Sequence, residues 1–168
     1  RERRMIATAL VEIGQLAGAQ LDYDDVLERI LDQIQRVTGY DTAAILLASP
    51  GEQRHFIVGA SHDPESFVKG RELHSAVLSP LEQSVLSQQP IVIESGENFA
   101  DWWEGDAPSL SSARSWLIIP LTVQQQVSGL IVLGRIGAMA YTQKDASYAF
   151  ALARQGAVAL ETVRLQAQ

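Results

Sequence analysis

The chain contains no cysteine. That absence excludes disulfides, thiolate metal sites, cysteine nucleophiles and any thioether-linked chromophore, and it suits a reducing, cytoplasmic compartment. Also missing is an unbroken apolar run of the roughly 20 residues that a membrane-spanning helix needs. The obvious candidate, "SWLIIPLTVQQQVSGLIVLGR" at 115–135, is interrupted by Pro120 and by Gln124, Gln125 and Gln126. Basic charge is scarce: the formal charge is −7, and the one dense cationic run is "RERR" at residues 1–4. Phosphate backbones are bound by a clustered basic face, so nucleic acid is not an expected partner, nor is a membrane surface. Neither of the glycine-rich phosphate cradles, G-x-x-x-x-G-K-[ST] and G-x-G-x-x-G, occurs. Position 1 is Arg rather than Met, which reads as a piece excised from a longer chain, and no apolar signal-peptide run follows it.

What remains is enough for one ordinary core: 168 residues, 46% of them hydrophobic. Residues 3–20 carry Ile6, Leu10, Ile13 and Ala17 at 4-3-4 spacing, a narrow helical seam of the bundle type. Asp22 is an N-cap for a second helix, with Val26, Leu27, Ile30, Leu31, Ile34 and Val37 on one broad face and Gly39 as its C′ stop. "TAAILLA" at 42–48 and "HFIVGAS" at 55–61 predict a hairpin around "SPGEQ". Residues 62–77 read as loop. A short helix is expected over 78–86, with Pro80 in its first turn, followed by an edge strand "PIVIE" at 90–94. An irregular acidic stretch with two tryptophans comes next. The 115–135 stretch then predicts two strands around a three-residue Gln loop, apolar on both faces and so covered on both. Thr142 with Asp145 caps a closing helix whose Ala149, Ala153, Gly156, Leu160 and Val163 form a small-residue seam; that seam points to a partner beyond the domain. The order implies an α+β sandwich with a mostly antiparallel sheet of about five or six strands and the N- and C-terminal helices on one face.

Groups capable of chemistry are few. "SHD" at 61–63 holds the residue types of a hydrolytic triad, but consecutive residues on an extended chain face opposite ways and cannot line up. His55, His62 and His74 match no compact metal motif. The carboxylates Glu94, Glu97, Asp101, Glu104 and Asp106 do not follow a calcium-loop spacing and read as solvated charge. No catalytic and no metal-ligating residue is assigned, and no cofactor is called for.

Three segments together resemble the GAF domain family: "DVLERILDQIQRVTGYDTAAILLASPG", "ARSWLIIPLTVQQQVSGLIVLGR" and "YTQKDASYAFALARQGAVALETVRL". The resemblance runs over roughly residues 22–165. It implies a GAF/PAS-like fold and a non-enzymatic sensory module of a larger signal-transduction protein such as a histidine kinase or a cyclic-dinucleotide enzyme. The departures are informative. The asparagine–lysine–phenylalanine–aspartate–glutamate set of cyclic-nucleotide-binding relatives is not recognisable. Covalent bilin attachment and the thiol chemistry of methionine-sulfoxide-reducing relatives both need cysteines.

A non-covalently held small molecule survives these objections. By the same resemblance its pocket lies between the sheet and the segments joining the middle strands. The candidate lining residues are Phe67, Trp102, Trp103, Arg114 and Trp116. Adjacent tryptophans in a loop do not both easily face one core, so one is expected to cap the sheet and the other to cover a pocket or a partner. Arg114 either holds an anionic ligand group or pairs with the acidic loop. Residues 1–21 are expected to form a linker and dimerisation helix and 22–168 the domain proper, with a homodimer through the terminal helices and a covalently linked effector domain. The alternative is a ligand-free dimerisation and coupling spacer of the same fold.

Overall fold

Asp22 accepts a hydrogen bond from the Asp24 backbone N–H at 2.9 Å and so opens helix α1, Tyr23–Val37. At the other end Gly39 takes a positive φ of 73°, a conformation that other residues adopt only with strain, and its N–H returns to Ile34 O. These elements belong to a computed structural model that describes residues 22–63, 65–94, 98–105, 107–108, 112–137 and 139–166. The helix expected over 3–20 lies outside the described residues, as does the whole of the linker expected over 1–21.

The strands are β1 (Thr42–Ala48), β2 (His55–Ser61), β3 (Glu72–Ser75), β4 (Ile91–Ile93), β5 (Trp103–Glu104), β6 (Ser115–Val123) and β7 (Gln126–Arg135). They form one sheet in the order β4-β6-β7-β1-β2-β3-β5, and every pairing is antiparallel. The described strands number seven rather than five or six. The two extra ones are short: β3 lies inside the stretch expected as loop, and β5 inside the tryptophan segment. Helix α2 (Pro80–Ser87) starts behind the N-cap Ser79, and α3 (Gln143–Gln166) closes the fold.

The long hairpin is central, as its two-sided apolar pattern predicts. Its loop has two residues and not three, because Val123 pairs with Gln126 across the turn. Gln124 and Gln125 adopt φ of 51° and 66° there, the backbone of a two-residue hairpin turn more often made by Asn-Gly.

Alternation along the strands divides the core in two. Ala43, Ile45, Leu117, Ile119, Ile131 and Leu133 face α1 and α3, whereas Ala44, Leu46, Ile118, Leu130 and Val132 face the opposite way. On the helical face α3 is begun by a reciprocal cap: Thr142 N–H donates to Asp145 Oδ2 at 2.9 Å and Asp145 N–H to Thr142 Oγ1 at 3.2 Å. The small-residue seam of α3 does not wait for an outside partner. It is buried within the monomer, where a Cβ at Gly156 would stand 2.7 Å from Ile30 Cδ1 and Cγ1 of α1. Glycine at 156 is what lets the two helices approach this closely.

Candidate functional site

The sheet face away from α1 and α3 is lined by aromatic residues. Trp116 is contributed by β6, Phe67 by the β2–β3 connection, and Phe99 and Trp102 by a single 3-10 turn, Phe99–Trp102. Trp103 begins β5, where it pairs with Ser75 of β3. The rings touch one another. Phe99 stacks on Trp116 with centroids 4.8 Å apart and planes 12° from parallel. Its centroid is also 5.0 Å from that of Trp102, 5.6 Å from Trp103 and 6.1 Å from Phe67, so it is the hub of the group. Trp102 meets Trp116 edge-on at 5.3 Å.

Both tryptophans of the pair face this one core, with 1% and 6% of their surface exposed. The expectation that the two do not both face one core is corrected, for a local reason. The rule of opposite faces holds within a strand, but here a 3-10 turn ends at Trp102 and extended backbone begins at Trp103. The junction rotates the second indole back to the side of the first.

The segment is held lightly at its edges. Ala76 N–H donates to Trp102 O at 2.7 Å, and Arg54 reaches Glu104 at 3.0 Å and Glu82 of α2 at 3.3 Å. The Arg54–Glu104 pair is exposed on both sides and adds little stability. Inside, the polar atoms are not all satisfied. The indole Nε1–H groups of Trp102 and Trp103 and the hydroxyl of Ser75 are buried with no hydrogen-bond partner among the described residues. Such groups are rare in folded proteins and mark places that call for an explanation.

Of the five residues expected to line the pocket, four are thus brought together: Phe67, Trp102, Trp103 and Trp116. The fifth is not. Arg114 is exposed just before β6, tied by its backbone N–H to Arg135 O at 2.8 Å. Phe99, the hub, is the residue that sequence reasoning passed over; its position three before Trp102, one 3-10 turn away, was the available signal.

The histidines tie loops to the body. Tyr40 Oη lies 2.5 Å from His62 Nδ1, and His62 Nε2 lies 2.7 Å from Glu28 Oε2, joining α1 to the end of β2. Asp63 turns its carboxylate away from this chain to accept from Thr42 Oγ1 at 2.8 Å, while its backbone N–H donates to Ser61 Oγ at 3.0 Å, so the three side chains do not line up as a relay. His55 Nδ1 is 2.8 Å from both Ser49 Oγ and Glu52 Oε2, and its ring stacks on His74 at 4.5 Å. Burial pushes the phenol of Tyr40 well above its ordinary value, and that of Tyr141 likewise. Each hydroxyl donates to a backbone carbonyl, Tyr40 to Leu31 O at 3.1 Å and Tyr141 to Gly39 O at 2.9 Å.

Comparison with known proteins places this geometry. The family profile described as GAF domain matches residues 20–161. No curated protein sequence matches the chain. Among solved structures it is similar to the GAF domain of an Acinetobacter phosphoenolpyruvate-protein phosphotransferase, at 18% identity and a TM-score of 0.72, covering 95% of this chain and 94% of that one. It is similar as well to the free methionine-R-sulfoxide reductase of Neisseria meningitidis in complex with its substrate, at 13% identity and a TM-score of 0.74, covering 98% and 91%. A third is the GAF domain of a two-component sensor histidine kinase from Bacillus halodurans, at 18% identity and a TM-score of 0.70, covering 86% and 97%. At these identities the likeness is one of fold. Among the described residues no helix is long and apolar enough to cross a membrane.

Proposed function

Given that the chain belongs to the GAF domain family, we propose that it is a non-enzymatic sensory or regulatory module of a larger, cytoplasmic signalling protein. A small molecule is held non-covalently against the aromatic face, and the helical layer relays its presence to a covalently linked effector domain. The observation that carries this reading is the gathering of Phe67, Phe99, Trp102, Trp103 and Trp116 on one sheet face, with two buried indole donors left unanswered. Ligand pockets are mostly apolar with a few placed polar groups, and this face supplies apolar rings and unanswered donors. Similar solved structures supply the setting: one is a sensor histidine kinase domain and another a methyl-accepting chemotaxis protein.

A second reading has its own support. The rings pack against one another and close the face, which suits a spacer that binds nothing and couples two copies. Native mass spectrometry of the full-length protein's sensory region separates the two. The first reading expects a bound small molecule that leaves on denaturation; an empty protein from several expression hosts supports the second.

Both readings include a homodimer through the terminal helices. With the Gly156 seam used inside the monomer, α3 still offers a second stripe, Tyr148, Ala151, Gln155, Val158, Thr162 and Leu165, at 3-4-3-4-3 spacing. Val158 and Leu165 on it are 51% and 54% exposed. Val158→Glu is expected to turn a dimer into a monomer in light scattering without changing the unfolding midpoint of the monomer. A wild-type monomer across a wide concentration range overturns the dimer.

A further inference from the structure

Phe99 is the one ring of the aromatic face that touches four others. It is carried on a 3-10 turn of four residues, not on a strand of the sheet. The following strand, β5, is two residues long and pairs with β3 through His74↔Glu104 and Ser75↔Trp103 alone. Phe67 sits in a connection, Trp102 shares the turn of Phe99 and Trp103 opens β5; one surrounding ring is mounted more firmly. Trp116 sits in β6, paired on both sides by β4 and β7. So Phe99 is more lightly attached than Trp116, the ring on which it stacks.

Its chemistry also differs from what its neighbours ask for. A tryptophan Nε1–H only donates, and a phenyl ring offers no lone pair. Trp102 and Trp103 both border Phe99, and both keep a buried donor without an acceptor; the buried Ser75 hydroxyl, across the strand pair from Trp103, is unanswered too. A ring of the same size that carried acceptors would keep the stacking on Trp116 and bring lone pairs to the place that both indoles border. Charge is a different matter. The cluster is made of aromatic and aliphatic side chains, and the cation expected there, Arg114, is exposed at the start of β6 instead. A buried ion without a partner is strongly disfavoured, so an anionic or cationic occupant does not suit this place.

We propose that Phe99 is a built-in plug occupying the place of a ligand ring, and that the ligand is a planar, uncharged, ring-sized group with hydrogen-bond acceptors that receives the Nε1–H groups of Trp102 and Trp103. This rests on the reading of the aromatic face as the ligand site and names the class of molecule that face takes. Binding displaces Phe99 from Trp116, and the start of its turn moves while Trp102 and Trp103 stay to donate. The conformational response is thereby tied to the one segment held by the fewest ladder bonds, and a ligand shifts the balance because it contacts only the displaced arrangement.

Two benzene-sized molecules test the proposal: pyrazine, with two ring-nitrogen acceptors and no donor, and benzene, with neither. The chain has three tryptophans, so its indole N–H spectrum holds three signals, assignable by single Trp→Phe substitutions. In Phe99→Ala the ring-sized space is vacated. Pyrazine is expected to move the Trp102 and Trp103 indole signals downfield and slow their hydrogen exchange, while benzene fills the space without that shift. Trp103→Phe in the same background is expected to weaken pyrazine binding about fivefold, the worth of one neutral hydrogen bond, and leave benzene binding unchanged. Because Phe99→Ala risks failing to fold, the wild-type chain is titrated in parallel with quinoxaline, the bicyclic analogue with the same two acceptors; the same indole shifts are expected. Pyrazine or quinoxaline binding that leaves both indole signals in place overturns the acceptor assignment. A folded Phe99→Ala that takes up neither molecule overturns the plug. Either result leaves the sensory reading standing if native mass spectrometry still finds a natural ligand.

Discussion

The two faces of the sheet are built from the same strands and are put together differently. On the helical face, aliphatic side chains of β1, β6 and β7 meet α1 and α3, and a glycine fits against an isoleucine with no room for one more carbon. On the other face, flat rings lie at varied angles around Phe99 and leave indole N–H groups unanswered. Branched aliphatics interlock and fix one arrangement. A buried donor without an acceptor costs stability in the arrangement that strands it, so a rearrangement that answers it recovers that cost. The lesson is that one sheet carries an interlocked aliphatic face and, opposite it, an aromatic face with unanswered donors.

That contrast is open to attack by substitution. The largest effect is expected from Leu117→Ala on the helical face, a fully buried side chain whose loss should destabilise the fold by roughly 3 to 4 kcal/mol in urea unfolding. Gly156→Ala comes next, at about 2 kcal/mol from overpacking against Ile30. Adding Ile30→Val to it should recover part of that loss, and strict additivity of the two changes would show that the contact is not tight. Trp103→Phe on the aromatic face should destabilise by only ~1 kcal/mol, because it removes a buried unanswered donor along with part of the ring. A loss as large as that of Leu117→Ala would make the two faces equals and end the comparison.

The smallest effect concerns pH. Tyr40 and Tyr141 pack on the helical side, and both have phenols raised above the ordinary value of 10.0, chiefly by burial. A raised phenol favours the folded state fully below pH 10 and progressively less above it, as the unfolded chain ionises first. Stability should therefore be flat with respect to these two groups up to about pH 10 and decline beyond. Tyr141→Phe should flatten that decline. The aromatic cluster holds no tyrosine, so substitutions among its rings should leave the alkaline limb unchanged.

Much of the scaffold was legible in the chain because its signals are local. Asp22, Gly39, and the pair Thr142 and Asp145 act through hydrogen bonds within a few residues of themselves. The continuous apolar runs around the Gln turn announced a strand pair covered on both sides. Other features were hidden because their causes are remote. β3 alternates exposed and buried over "ELHS", too short and too polar to stand out, and it exists because Phe56 and Ile57 of β2 present a free edge to it. The seam of α3 looked available because nothing in its own sequence reveals that Ile30, over a hundred residues earlier, fills it. The candidate site was half visible. Its tryptophans were conspicuous, yet Phe99 drew no attention and Arg114 drew too much, since a lone cation near carboxylates suggests a ligand contact whether or not the backbone turns it inward.

The contact between Gly156 and Ile30 has a mechanical corollary. Turning α3 about its axis by one residue would bring a side-chain-bearing neighbour to the spot where even a single methyl is refused. The two long helices are consequently keyed together like a cog with one tooth. Neither can roll independently, and whatever passes through this layer must travel as a tilt or shift of the pair.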